Sequence, residues 1–369
     1  MRILYIGNEI KENPKTGGEY INFRNFNVLQ QVAGLENVDK VEFNTYGGII
    51  KFSGFMKKMQ IIYNILQGYM AGLDHHIEKI IYKKLTNSSY DYVFLGISQI
   101  GDLAPQIKKR LPRVKIITFF HNIEYQYFQE FVKLEGFSKI PLIWAARHNE
   151  LKAIKYSDKV ITLNSRDSNL MEHLYKRKAD AEMGTSFIDT FKNKFSNKEK
   201  SDNENLKYLF VGSKFFANCE GIKWFIEKVM PFIPGKLIIV GKNMEECRNE
   251  FERDNVIVIG TVEILDNYYD DADIIVSPIF SGGGMKTKTA EALMYGKTIF
   301  GTDEAFEGYD LKYGYEYVGE ICNTAEEYIY KIHQWIEKGK ISKYNAYARK
   351  SFLENYSICS SIQTFKKIV

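Results

Sequence analysis

The chain has 369 residues, 45% apolar and 26% charged, with a net charge of +4. That length points to two domains, and the composition is that of a globular protein. So small a net charge excludes a general nucleic-acid or polyanion binder. Four cysteines (Cys219, Cys247, Cys322, Cys359) lie far apart without CxxC pairs or histidines at zinc spacing, which argues against a disulfide framework or structural metal and fits a reducing cytoplasm. The chain runs from Met1 straight into an apolar strand, with no secretory leader and no apolar run of the ~20 residues that cross a bilayer.

Short apolar runs alternate with helical patterns. They predict strands at Ile3–Ile6, Val41–Thr45, Tyr92–Leu95, Ile116–Phe120 and Val160–Leu163, then at Tyr208–Val211, Leu237–Val240, Val256–Ile259, Ile274–Val276 and Thr298–Phe300. Continuous rather than alternating apolar strands fit parallel sheets covered on both faces. Two βα series therefore predict an α/β protein of two doubly wound, Rossmann-like domains, with ligands in a cleft between the carboxyl ends of their strands. The first domain spans residues 1–190 and the second 207–340. The polar stretch 191–206 reads as a linker, and 341–369 as a helical tail able to pack on either domain, the first included.

Between the first two strands and the third, residues 51–85 carry an apolar stripe at helical spacing: Phe52, Phe55, Met56, Met59, Ile62, Tyr63, Leu66 and Met70. Six lysines stand there against Asp74 and Glu78. Such a face either covers the sheet or lies on an anionic membrane.

The most informative segment is Ser277 to Leu293. A buried strand leads into Gly282-Gly283-Gly284, then Met285, Lys286 and Lys288, and a helix bearing Glu291. Glycines admit backbone N–H groups close to a ligand, and a helix N-terminus favours anions. The two lysines add full charges, and Glu291 can accept from sugar or ribose hydroxyls. The pattern is one for holding a diphosphate.

These pieces together resemble the family 4 glycosyltransferases of the GT-B fold over nearly the whole chain. The resemblance rests on Gly17-Gly18 in the first loop, His121-Asn122-Ile123-Glu124, Ser157 to Ile161 before Asn164-Ser165-Arg166-Asp167, Phe210-Val211-Gly212 with Asn218, Val240-Gly241, Asp271 to Ile274, the glycine–lysine–glutamate unit, Gly296-Lys297, and Thr302 to Gly308. It implies transfer of a sugar from a UDP- or GDP-linked donor to a saccharide or lipid-linked acceptor, with retention, in surface polysaccharide or glycolipid synthesis. It implies no cofactor and no metal. Asp271 and Asp273 can be read as a metal-binding pair, but stand in the family's usual place before a buried strand.

By resemblance, the donor is held by Gly17, Gly18, Gly212, Ser213, Lys214, Gly241, Gly282, Gly283, Gly284, Met285, Lys286, Lys288 and Glu291. The acceptor falls to Arg24, Asn122 and Glu124, and catalysis to His121, Lys286 and Glu291. His121, ending an apolar strand, would bond the transferred sugar. Two features depart from the family pattern. Gly283 stands where many members carry a sugar-binding glutamate, so that recognition must come from backbone amides or elsewhere. The arginine common after the second domain's first strand is absent, and Lys214 either replaces it or is a surface lysine. An epimerase using Glu124 and Glu9, or a non-catalytic nucleotide-sugar binder, are the alternatives. No GxGxxG follows the first strand, which disfavours a dehydrogenase.

Overall fold

The computed structural model describes residues 1–369 apart from 13, 15–16, 45–58, 60–61, 136–139, 193–204, 282–284 and 312–313. It divides into a first unit, Met1–Gly184 with Ser361–Val369, and a second, Thr185–Ser360.

In the first unit β1 (Ile3–Asn8), β2 (Val38–Phe43), β3 (Tyr92–Leu95), β4 (Lys115–Phe120), β5 (Lys159–Thr162) and β6 (Ala181–Glu182) form one sheet in the order β2-β1-β3-β4-β5-β6. All its pairings are parallel. Ile3, Leu4, Tyr5 and Ile6 are fully buried, as are Val93, Phe94 and Leu95. Helices α1 (Gly17–Ala33), α2 (His75–Asn87), α3 (Leu103–Arg110), α4 (Glu124–Glu135), α5 (Ile140–Tyr156) and α6 (Ser165–Tyr175) alternate with the strands. Their starts are chemically marked: Asp74 accepts from Ile77 N, and Asn164 from Asp167 N.

The second unit repeats the plan with β7 (Lys207–Val211), β8 (Lys236–Val240), β9 (Val256–Gly260), β10 (Ile274–Ser277), β11 (Thr298–Gly301) and β12 (Gly319–Ile321) in the parallel order β9-β8-β7-β10-β11-β12. Its helices include α7 (Phe216–Lys228), α8 (Asp266–Asp271), α9 (Thr287–Met294), α10 (Ala325–Glu337) and α11 (Ala346–Ser351). A Thr324–Glu327 capping box starts α10. In both sheets the strand order reverses once, between β1 and β3 and between β7 and β10. Doubly wound sheets open a crevice at the carboxyl ends there.

The sequence strands recur within a few residues of their expected bounds, except that β2 begins at Val38 and the expected end at Thr45 lies outside the described residues. Two short strands, β6 and β12, went unread. Most of the proposed linker also lies outside the described residues, but Leu206 is fully buried in the core of the second unit. Of the 51–85 stripe, Phe52, Phe55 and Met56 are not described. Met59, Ile62, Tyr63 and Leu66 are exposed, whereas Met70 is buried against Ala145 and Ala146.

The tail divides. Phe352 and Tyr356 are buried in the second unit. Helix α12 (Ile358–Lys366) carries Phe365 onto Phe94 of the first sheet, ring centroids 6.0 Å apart. Arg24 of α1, buried, donates to the carbonyls of Met183 and Gly184 and to Ser361 Oγ at 2.7–3.2 Å. It thus holds the two points where the chain leaves and re-enters the first unit.

Helix α7 packs close to the exit of β10. A Cβ on Gly221 would lie 1.7 Å from the carbonyl oxygen of Pro278. Gly221→Ala is therefore expected to destabilise the protein by about 2 kcal/mol through overpacking, read as a lower denaturant midpoint at unchanged slope. An unchanged midpoint would mean that α7 and the Pro278 turn separate freely.

Candidate functional sites at the carboxyl ends of the two sheets

In the first unit a cavity of about 230 Å³ opens at the carboxyl ends of β1, β2 and β4, lined by Asn8, Glu9, Lys11, Gly18, Glu19, Asn22, Asn44 and His121. Gly18 and Asn22 stand one helical turn apart and so share a face of α1. Lys11 pairs with Glu19 at 2.7 Å, and Tyr5 donates from beneath to Asn22 Oδ1 at 3.4 Å. This is a polar bowl of amides and carboxylates with one imidazole.

His121 is placed by β4 and fixed by β3. Its Nε2 lies 3.0 Å from the carbonyl oxygen of Gly96, which only accepts, so Nε2 carries the proton and Nδ1 is left as the acceptor. A Cβ on Gly18 would stand 4.0 Å from that Nδ1, so the glycine keeps the approach to it clear. Burial, then the Arg24 guanidinium, pull the His121 pKa down to about 4, against the raising effect of the Gly96 bond. A neutral imidazole presenting a lone pair suits a hydroxyl donor.

The other expected residues of this unit lie elsewhere. Gly17 opens α1, and a Cβ added there would meet no heavy atom within 4 Å. Arg24 is absent from the cavity lining: it is the buried tie described above, its guanidinium 5.3 Å from the Phe119 ring centre, and burial lowers its pKa to about 9. Asn122 and Glu124 do not line the cavity either. Glu124 is buried, its pKa raised to about 7 by burial against bonds from Gln99 and Asn122. Glu150 of α5 accepts from the N–H groups of Glu124 and Tyr125 and from Tyr175 Oη at 2.5–3.3 Å, capping α4.

In the second unit the corresponding crevice lies at the ends of β7 and β10. Lys288, in the first turn of α9, reaches across it. Its Nζ donates to Asn218 Oδ1 at 2.7 Å and lies 4.6 Å from the centre of the Phe210 ring. A Cβ on Gly212 would come within 3.0 Å of that Nζ, and one on Gly241 within 2.0 Å of Gly212 O. Gly212 therefore makes room for the lysine at the end of β7, and Gly241 for the backbone of Gly212. Burial lowers the Lys288 pKa to about 7, Glu291 opposing this and Lys286 reinforcing it. Glu291, one turn further along α9, accepts from Tyr269 Oη at 3.3 Å, and burial raises its pKa.

Lys286 behaves differently. Its Nζ is 2.5 Å from Glu304 and 3.9 Å from Glu307, both on the segment after β11. That segment is bonded to the start of α9: Thr289 donates to Ala305 O at 2.7 Å, and Tyr309 Oη donates to Lys286 O at 2.5 Å while accepting from Ala290 N at 3.1 Å. Met285 packs on the apolar cluster beneath α9. Ser213 O accepts from Asn218 Nδ2 at 2.9 Å, whereas Lys214 forms an exposed pair with Glu246 at 2.7 Å. Gly282, Gly283 and Gly284 lie outside the described residues. Asp271 and Asp273 precede β10 at its amino end. Asp271 pairs with Lys207 and Lys343, and Asp273 accepts from Lys207 N.

Sequence reasoning did not assign Asn218, Glu304, Glu307 or the cavity's asparagines. The face shared by Gly18 and Asn22 was readable in advance. The pairing of Lys286 with Glu304 needs the β10–β11 neighbourhood, which no local pattern reports.

The fold is that of the GT-B glycosyltransferases, two parallel six-stranded Rossmann-like sheets with helices. Residues 205–336, from the start of β7 through most of α10, match the family model described as glycosyl transferases group 1. An uncharacterised 44.6 kDa protein in the cps region of Klebsiella pneumoniae is 26% identical over 260 residues, 63% of this chain and 62% of its own length. The chain thus spans less than two thirds of that relative. Among solved structures, Anabaena HepE in complex with UDP has a TM-score of 0.63 at 13% identity, covering 100% of this chain and 99% of that one. The lipopolysaccharide outer core galactosyltransferase WaaB superposes at 0.63 with 12% identity over 100% and 98% of the chains. Sucrose-phosphate synthase from Thermosynechococcus elongatus gives 0.62 at 12% identity, with 100% and 98% covered.

Because the folded His121 pKa of about 4 lies below its ordinary 6.5, its contribution to stability is full above that ordinary value and is lost as pH falls towards 4. Nitrogen NMR should show a neutral imidazole protonated at Nε2 at pH 6 and no titration until near pH 4. Titration at the ordinary value would contradict the bonded, half-buried geometry.

Proposed function

We propose that the protein is a retaining glycosyltransferase, family 4-like, that moves a sugar from a UDP- or GDP-linked donor to a hydroxyl of a saccharide or lipid-linked acceptor. The observation that carries this reading is Lys288: a half-buried ammonium, bonded to Asn218, at the end of β7 beside the N-terminus of α9. Its lowered pKa means that the protein alone under-solvates the charge, and a diphosphate would restore it. The donor's leaving group gains negative charge as the glycosidic bond breaks, and preorganised cations and N–H groups aimed at that charge contribute most to such catalysis. In this reading no metal is needed at the diphosphate.

The second unit holds the donor, with Glu291 accepting from the ribose. The first unit takes the acceptor in its polar bowl, where His121 Nδ1 offers a lone pair to a sugar hydroxyl. At a pKa of about 4 His121 is a poor general base, so the acceptor proton passes to a donor phosphate oxygen on the same face of the sugar, which accounts for retention. The named ligands of the solved relatives, UDP and UDP-glucose for HepE, support a uridine donor. The likeness to the lipopolysaccharide outer core galactosyltransferase WaaB supports a surface saccharide as acceptor, and in this reading the protein works in the cytoplasm at the inner face of the cell membrane. Exposed Met59, Ile62, Tyr63 and Leu66 support peripheral contact with an anionic membrane through the 51–85 region. Among the described residues no helix is long and apolar enough to cross a membrane.

The test is thermal shift with UDP-, GDP-, ADP- and CMP-sugars, where a ligand at a hundredfold excess over Kd adds about 2.7 kcal/mol. One nucleotide class should stabilise the wild type and shift Lys288→Ala clearly less. No shift with any class removes the donor-site reading, and binding without turnover favours a non-catalytic binder.

A pH dependence follows. Nucleotide-sugar diphosphates are diesters that do not titrate near neutrality, so binding that re-protonates Lys288 must take up a proton above pH 7. Affinity should fall by up to about tenfold per pH unit above that point. Calorimetry in two buffers of different ionisation heat measures the uptake, and Lys288→Ala should abolish it.

A further inference from the structure

The two lysines at the start of α9 do not keep the same company. Lys288 faces an amide oxygen and an aromatic ring, with Glu291 one turn away. Lys286 faces two carboxylates, 2.5 and 3.9 Å from its Nζ. The two carboxylates offset the Lys286 charge where they stand, so a diphosphate gains less beside Lys286 than beside Lys288. Ionised carboxylates only accept hydrogen bonds, so what they take from a neutral ligand is a hydroxyl or an N–H.

The site is therefore polarised: cation and amide at the end of β7, acceptor oxygens at the end of β11. Glu304 is neither buried nor loose. Its side chain is 23% exposed, and that of Lys286 13%. The segment that carries it is bound to α9 through Thr289 and Tyr309, so its carboxylate is presented in a set direction. Position 283, where many members of the family it resembles carry a sugar-binding glutamate, is glycine and supplies none.

We infer that Glu304, oriented by Lys286, is the residue that recognises hydroxyls of the transferred sugar, and that Lys288 with Asn218 holds the diphosphate. Lys286 thus positions a ligand-contacting carboxylate instead of meeting the phosphates itself. The inference rests on the nucleotide-sugar reading above and deepens it: the donor carries a neutral, hydroxyl-bearing sugar at this end. An anionic sugar would be repelled by the two glutamates.

The experiment is calorimetric binding of UDP against UDP-glucose, and of GDP against GDP-mannose, to wild type, Glu304→Gln, Lys286→Met and Lys288→Ala. Thermal unfolding confirms that each variant is folded, and the isosteric glutamine preserves shape. Lys288→Ala is expected to weaken nucleotide and nucleotide-sugar together by tenfold or more. Glu304→Gln is expected to bind the bare nucleotide within twofold of wild type and to lose at least fivefold of the preference for its sugar conjugate, with slow donor hydrolysis falling tenfold. Lys286→Met should copy Glu304→Gln, not Lys288→Ala.

An unchanged preference in Glu304→Gln overturns the inference while the nucleotide-sugar reading stands. So does a severalfold gain in bare-nucleotide affinity, which would make Glu304 a repelling gate. Failure of the wild type to bind any of the four probes removes both.

Discussion

A parallel sheet covered on both faces has no room for polar chemistry along its strands, and this constraint governs the whole molecule. Ile3 to Ile6, Phe94 and Ile274 to Val276 are apolar and buried because helices lie above and below them. Charge and hydrogen-bonding capacity are driven to the strand ends, and the reversal of strand order sets which ends splay apart. In the first unit that puts Asn8, Asn44 and His121 around one bowl. In the second it puts Gly212, Asn218 and Lys288 on one side of a crevice and Lys286 with Glu304 close by.

Both sites hold ionisable groups away from their usual charge. His121 is kept neutral by burial and by Arg24, and Lys288 is pushed towards neutrality by burial. A group that costs free energy to charge in the protein alone is one that a ligand of the right polarity can satisfy. For His121 that ligand group is a hydroxyl proton, and for Lys288 an anion. The acids around Glu124 obey the same physics to another end. Glu124 and Glu150 are raised to about 7 and 8 by burial, and Glu150 secures the first turn of α4 instead of facing solvent.

Most strands were legible because they are apolar runs bounded by polar turns, whereas β2, interrupted by Asp39, Lys40 and Glu42, was expected to start only at Val41. The strands Ala181–Glu182 and Gly319–Ile321 were not, since two or three residues at a sheet margin carry no run to read. The glycine–lysine–glutamate segment was readable as an anion site, but two lysines separated by one residue look alike in a string of letters. What distinguishes them comes from distant elements, Asn218 from α7 and Glu304 from beyond β11. Lys214 looked like the cation for the end of β7 because it follows Gly212 by two residues. The chain turns it outward to Glu246, and Lys288 fills that place from the opposite strand's helix. Arg24 was legible after all. Six residues past Gly18, it is turned about 240° around α1 and cannot share the face that Gly18 and Asn22 show to the cavity.

Arg24 and Phe365 also impose an order on biosynthesis. The last pieces of the first unit's core, Ser361 on Arg24 and Phe365 on Phe94, are synthesised only after the entire second unit. On the ribosome the nascent first unit therefore waits, its arginine without the Ser361 hydroxyl and its sheet without the Phe365 ring, while the second is translated. The second unit also waits for its last apolar pieces, Ala348, Phe352 and Tyr356, which precede Ser361 by only a few residues. Folding of the amino-terminal half thus cannot finish before the carboxyl-terminal half is made, and a ribosome that stalls before codon 361 releases a chain whose first unit lacks both pieces.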